Sequence, residues 1–212
     1  MKPHHIYLAL CAALLAALSA GFVGGLADTR LSSGQITTSL AGVSDSSLAI
    51  TAAELRERAV NNVRNYPGDI PPPGHLLVIP ELNKLAQFTV EINFDFNSAA
   101  IRPESYRDVG AIADALHNPI LLGYGVLVIG HTDAVGTRTY NLGLSQRRAD
   151  AIRDALIDPF GVNPAVLLAV GLGEEQLQDP QHPKAAVNRR VQLVNIGKRF
   201  CFGRSGEQFQ CP

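Results

Sequence analysis

Val126 to Ile129 is an unbroken apolar and mostly β-branched run that opens into a polar turn and then a helical pattern reaching Ile157. A strand of this kind has no polar face to give to water, so it belongs inside a sheet covered on both sides. The flanking sequence supplies the layers. Phe88, Val90, Ile92, Phe94 and Phe96 alternate with Thr89, Glu91, Asn93 and Asp95, which predicts a strand with one buried face that ends at Asn97-Ser98. Pro103 fits the first turn of a helix to about Leu116, with Tyr106, Val109, Ile112, Ala113 and Leu116 on its inward side. A second helix is expected from Leu142 to Ile157, stopped by Asp158-Pro159. Val166–Val170 and Asn188–Ile196 read as two further strands, separated by a polar loop containing Pro180 and Pro183. The order β-α-β-α-β-loop-β predicts an α/β (α+β) sandwich, one sheet with helices packed on one face.

The segments outside this region read differently. Lys2, His4 and His5 precede an uncharged apolar run from Ile6 to Ala27, the pattern of a secretory signal peptide at 1–27 with small residues that suit cleavage after Ala27 or Ser19. The run is also long enough to span a bilayer, so an uncleaved anchor is the alternative. Residues 28–84 read as a spacer. Within it, 28–50 is rich in Ser, Thr, Gly and Ala and reads as flexible. Thr51 to Asn65 predicts a short helix, with Thr51 as N-cap, Glu54 completing a capping box, and Leu55, Ala59 and Val63 as an apolar stripe. Pro67 to Gly74 is a stiff connector. Loss of 1–27 would remove Lys2 from the 18 basic residues, leaving 17 against 19 acidic ones, a net charge of −2. It would also remove Cys11 and leave Cys201 and Cys211, both in the 198–212 tail. In an exported chain these two predict a disulfide, which by closing a short loop would contribute roughly 2–3 kcal/mol. The near balance of charge argues against a nucleic-acid surface.

Two arginines sit where arginine is not expected. Leu144, Ile152, Ala155 and Leu156 share one face of the second helix, and Arg148 falls in that stripe at i+4 from Leu144, whereas Arg147 points about 100° away. By period two, Arg189 shares a face with Val191 and Leu193, and Arg190 does not. An inward arginine needs an acidic partner, because an unpaired buried charge costs several kcal/mol. For Arg148 that partner is Asp133, in an internal salt bridge, another carboxylate, or a ligand. Asp133 lies in a strand-to-helix loop, where sheets of this kind present ligands. Asn141 is a candidate N-cap, and the helix N-terminus beside it favours a carboxylate. Asp133 would then receive an ammonium, so a zwitterionic group fits better than a simple anion. His131, Asp133 and Ser145 have the residue types of a hydrolase, but the serine falls inside a helix rather than on an exposed elbow. His131 and Asp133 alone are too few for a metal. No enzyme activity, metal or cofactor is expected.

The stretch Gly130–Ala149 resembles the OmpA-like C-terminal domain of Gram-negative envelope proteins. Its pattern G-H-T-D-x-x-G-x-x-x-Y-N-x-x-L-S-x-x-R-A is filled by Gly130, His131, Thr132, Asp133, Gly136, Tyr140, Asn141, Leu144, Ser145, Arg148 and Ala149. Phe94-Asp95-Phe96-Asn97-Ser98-Ala99-Ala100-Ile101 loosely follows the family's F-D-x-x-S-x-x-I, and Asn188-Arg189-Arg190-Val191 its closing N-R-R-V. The resemblance covers about 85–197 and implies a mixed sheet and non-covalent binding of peptidoglycan through the diaminopimelate of its stem peptide. By this resemblance Asp133 pairs with the ammonium and Arg148 with the carboxylate. Asn97, Asn141 and Arg189 line the pocket, and Thr132, Gly136 and Leu144 support the loop. It further implies a periplasmic protein associated with the wall and the outer membrane, with 28–84 open to other envelope proteins. An uncleaved N-terminal anchor would instead make the same domain part of a stator-like protein of the inner membrane.

Overall fold

The computed structural model describes residues 31–42, 50–68, 70–71, 74, 79–202 and 208–210, with side chains up to Arg199. The expectations of a signal peptide or anchor at 1–27 and of a Cys201–Cys211 disulfide lie outside the described residues and side chains. The elements in chain order are α1 (Ser33–Leu40), α2 (Ala52–Asn65), β1 (Gln87–Val90), α3 (Tyr106–Leu116), β2 (Tyr124–His131), α4 (Arg138–Ile157), β3 (Leu167–Gly173), β4 (Val191–Lys198), β5 (Phe200–Phe202) and β6 (Gln208–Gln210). Four of the strands form one sheet in the order β1-β4-β2-β3, and β5 pairs with β6. β2 runs parallel to β3 and antiparallel to β4, and β1 is antiparallel to β4, so the sheet is mixed.

β2 is interior, as its composition requires. Val126 and Val128 join Val109, Ile112, Ala149 and Ile152 in one apolar cluster, while Leu127 and Ile129 join Leu55, Ala59, Leu82 and Val170 in another. The period of two thus sorts neighbouring residues of one strand onto opposite faces. Residues of α3 and α4 cover the first face as expected, together with Ile36 and Leu40 of α1. The second face is covered by α2 and the turn at Leu82–Lys84.

The reading of 28–50 as a flexible spacer is therefore corrected at α1. Ser32 and Gln35 cap this helix reciprocally, and Ile36 and Leu40 are fully buried. The Asn195 amide donates to the Leu40 carbonyl at 2.7 Å. A helix of 8 residues shows barely two turns of apolar period, too few to stand out among Ser, Thr and Gly. α2 is placed as expected, with the Glu54 amide donating to the Thr51 hydroxyl at 3.1 Å. Its capping box is only half made, because the Glu54 carboxylate turns instead to Arg58 at 2.5 Å.

β1 is shorter than its alternation predicts. Val90 pairs with Val191, the first residue of β4, so the chain beyond it has no neighbour to pair with. It turns instead through a loop closed by Arg102 donating to the Asn93 carbonyl at 2.9 Å and Asp95 to that of Ala100 at 3.0 Å. Ile92 and Phe94 still reach the first apolar cluster, whereas Phe96 is 96% exposed on the loop. Tyr106 also departs from expectation, lying exposed at the head of α3, beyond the packed stripe that begins at Val109. α4 presses closely on the sheet. A Cβ on Gly130 would collide with the Ser145 carbonyl, and one on Gly171 with the backbone of Gln146.

Candidate functional site

The site grows from the ends of β2 and β3 and the start of α4. A register shift after Gly130 sets His131 against Gly173, and the Thr132 amide then donates to the Gly173 carbonyl at 2.9 Å. The Ala134 amide donates to Pro183 at 3.0 Å, so the loop after β2 is held from two sides. Gly136 turns it at φ +102°, and Thr132 and Leu144 are buried beneath it. Asp133 is fixed in this loop. Its Oδ1 accepts from the Val135 amide at 3.2 Å, and its Oδ2 lies 2.6 Å from Nη1 of Arg189.

α4 begins at Arg138, four residues before the expected Leu142, and Thr137 caps it by accepting from the Tyr140 amide at 3.3 Å. Asn141 is therefore not the N-cap. It lies buried in the first turns, where its amide donates at 3.2 Å to the carbonyls of Asp133 and of Val135, and also to the Glu174 carboxyl. Asn141 thus staples the loop that carries Asp133 to α4. The misreading is physical in origin: Gly136 to Tyr140 carries no apolar period, so the first turn was not visible as helix.

Helical phase placed the arginines correctly. Arg147 is exposed, and Arg148 is half-buried, with Nε donating to the Ser98 carbonyl at 3.0 Å and its guanidinium 4.8 Å from the Phe94 ring centre. The internal Arg148–Asp133 salt bridge does not form, since Asp133 is taken by Arg189. Among the described residues no carboxylate stands within ion-pair distance of Arg148. Burial holds its pKa below the usual arginine value, and the Arg189 and Arg147 charges act in the same sense against the pull of Tyr140 and Asp133. Asn97 takes the left-handed φ of +55° that asparagine tolerates, and its Oδ1 accepts from the Tyr140 hydroxyl. The 93–102 loop thus leans on α4 at two points. Arg148 and Arg189, with Glu91, Ile92, Asn93 and Phe94, line a cleft of about 70 Å³. A larger apolar cavity, about 220 Å³, lies at the other end of β2 around Leu116, Leu121, Tyr124 and Val162, away from these charges.

His131, Asp133 and Ser145 make no hydrogen bond with one another among the described residues. The Ser145 hydroxyl is buried between the Leu142 carbonyl and the Gly173 amide, and the His131 ring bonds Gln192 at 3.1 Å. Burial, reinforced by Arg190, holds His131 well below its ordinary pKa and therefore neutral. No group of three or more metal-ligating side chains occurs among the described residues.

Several residues around the site were not legible as such. Arg138 and Glu175 form a fully buried ion pair at 2.8 and 2.5 Å, and Asn62 of α2 donates to the same carboxylate at 2.6 Å. Arg138 also donates to the Tyr66 carbonyl at the end of α2. Glu174 is buried beside them with its Oε1 unpartnered, and burial pushes its pKa up to about 7 despite the Asn141 hydrogen bond. Asn188, also fully buried, accepts from the amides of Gln178 and Asp179 and donates to the carbonyls of His182 and Pro183, which shapes the loop that carries Arg189. Only its place in the N-R-R-V motif marked it in the sequence.

The mixed sheet and the helix after β2 thus bring Asp133, Arg148 and Arg189 together at one end of the strands. Residues 93–190 match the OmpA family and form an OmpA family domain. It is 35% identical to outer membrane porin F of Pseudomonas aeruginosa over 115 residues, covering 53% of this chain and 32% of that protein. It is 38% identical to the peptidoglycan-associated lipoprotein of the same organism over 102 residues, 47% of this chain and 58% of that one. The crystal structure of the peptidoglycan-associated lipoprotein from Burkholderia pseudomallei is 35% identical, with a TM-score of 0.42, and the match covers 49% of this chain and 87% of that one. The chain spans about a third of the porin F relatives it matches.

Proposed function

We propose that this domain binds peptidoglycan non-covalently in the bacterial envelope, through the diaminopimelate of the stem peptide, as a tether rather than a hydrolase. The observation that carries this reading is Arg148, a half-buried guanidinium with no carboxylate within ion-pair distance among the described residues, lining a cleft with Arg189, the partner of Asp133. The OmpA family domain and the wall association named in two relatives support the same reading. Diaminopimelate ends in an ammonium and a carboxylate on one carbon. Arg148 accepts the carboxylate, for which guanidinium geometry is suited. Asp133 accepts the ammonium. Asn141 holds the Asp133 loop, and Asn97 sets the loop whose Ser98 carbonyl steadies Arg148. Such a role places the protein in the periplasm against the wall. The test compares stem peptides carrying diaminopimelate or lysine at the same position. Lysine keeps the ammonium and lacks the carboxylate, so it leaves Arg148 desolvated and unpaired, at a cost of roughly 1–3 kcal/mol. Equal affinity of the wild-type chain for the two peptides would overturn the reading.

A further inference from the structure

Of the two charges assigned to the ligand, Asp133 is already paired with a third, Arg189, which lines one cleft with Arg148. We propose that Arg189 is a specificity-determining residue of the site: it occupies Asp133 in place of a ligand ammonium and, once displaced, turns to the ligand carboxylate beside Arg148. This inference rests on the ligand reading above.

The geometry distinguishes the fixed partner from the movable one. The Asp133 side chain is only 12% exposed and is anchored through its other oxygen to the Val135 amide. The Arg189 side chain is 48% exposed and holds Asp133 through a single nitrogen, Nη1. Arg189 precedes β4 and ends the short turn at Ala186–Asn188, so no strand pairing fixes it. Arg148 is instead held by the Ser98 carbonyl and the Phe94 ring, and both arginines line the same cleft. A half-exposed side chain with one contact can leave Asp133 to an incoming ammonium, which replaces the charge that Arg189 takes away.

Charge counting then explains selection. The cleft is lined by two guanidiniums, Arg148 and Arg189, and by the Glu91 carboxylate, which makes an ion pair with neither among the described residues, while Asp133 holds Arg189. An ammonium alone must drive Arg189 off Asp133 and leave it beside Arg148, two like charges with the Glu91 carboxylate on the cleft wall but none from the ligand. A ligand with both groups drives Arg189 off in the same way but supplies a carboxylate that accepts both guanidiniums. Discrimination thus comes from a penalty imposed on the wrong ligand as well as from contacts to the right one.

Titration calorimetry on the full chain tests this with the diaminopimelate and lysine stem peptides, for wild type, Arg189→Gln and Arg189→Lys. With no guanidinium to displace, Arg189→Gln should bind the lysine peptide at least about twofold more tightly than wild type. It should bind the diaminopimelate peptide more weakly, so the preference narrows. Arg189→Lys keeps the charge and should retain most of the preference. Equal weakening toward both peptides in Arg189→Gln would overturn the exchange and make the pair a static loop clamp. A wild-type chain that does not distinguish the peptides would overturn the ligand reading, and the exchange with it.

Discussion

Oδ2 of Asp133 lies 2.6 Å from Nη1 of Arg189, and Arg148, across the same cleft, has no carboxylate within ion-pair distance among the described residues. Removing Arg148 therefore breaks no ion pair. Arg148→Ala loses the Ser98 hydrogen bond and the contact with Phe94, a cost to stability expected to stay near 1 kcal/mol. Pull-down by purified peptidoglycan should fall tenfold or more, since a charge-assisted pair to a half-buried arginine is worth roughly 1.5–3 kcal/mol. Thermal unfolding alongside the pull-down separates the two effects. An Arg148→Ala variant that binds the wall as wild type does would remove this residue from the site.

Arg138 and Glu175 present the opposite case, a pair with no access to water. Their partners are each other, Asn62 and the Tyr66 carbonyl, all within the folded unit. Arg138→Ala leaves the Glu175 carboxylate buried and uncompensated, so unfolding free energy should drop by about 3–5 kcal/mol in a denaturant titration. Replacing both with apolar residues of similar volume should recover much of that loss. A single variant as stable as wild type would show that water reaches the pair.

Glu174 makes stability depend on pH. It is buried below the Asp133 loop and faces Glu175 on its own segment, Asp133 on the loop, and Arg138 and Asn141 on α4. Burial raises its folded pKa to about 7 from the ordinary 4.5, so the native state holds the proton more tightly than the unfolded chain does. The contribution of this group is thus most favourable below pH 4.5, declines as pH climbs from about 4.5 to about 7, and is level above that. Glu174→Gln keeps an acceptor for Asn141 and cannot ionise. Midpoints of thermal unfolding measured between pH 5 and 8 should therefore fall in wild type relative to Glu174→Gln. Parallel curves would show that Glu174 is not the group responsible.

How much of this was legible from the residues depends on what each one answers to. Val126–Ile129 had no polar side to offer, so an interior strand was the reading left to it, and it lies there. Arg148 was found by helical phase, because a charge inside an apolar stripe is an exception against a regular background. Glu174 and Glu175 gave no such contrast. They follow the strand end among Gln, Asp and Pro, where a polar residue looks like loop, and their burial depends on Arg138, Asn62 and Asn141 arriving from distant segments. The Asp133–Arg189 pairing was hidden for the same reason. Period two set Arg189 inward and Arg190 outward, but Arg189 lies before β4 begins, where that period does not hold. It is exposed and Arg190 is the more enclosed, so which arginine would reach Asp133 was not legible.

The boundary of the folding unit offers a last test. Family similarity begins at residue 93, yet Leu55 and Ala59 of α2 are buried with Leu127, Ile129 and Val170 on the second face of the sheet. Arg56 strengthens the attachment, donating to the Leu142 carbonyl and the Gln146 side chain, both at 3.2 Å. If α2 were only a passing spacer, Leu55→Ala would change little. Because Leu55 is fully enclosed, its truncation should cost about 2–5 kcal/mol, the range for emptying a packed leucine site. An exposed control on the same helix, Glu57→Ala, should stay within about 0.5 kcal/mol of wild type. A single cooperative transition, shifted by Leu55→Ala and not by Glu57→Ala, would establish that α2 folds with the sheet it covers. A chain cut to 85–197 would then leave that apolar face open to water, with lower stability and concentration-dependent association as the readouts.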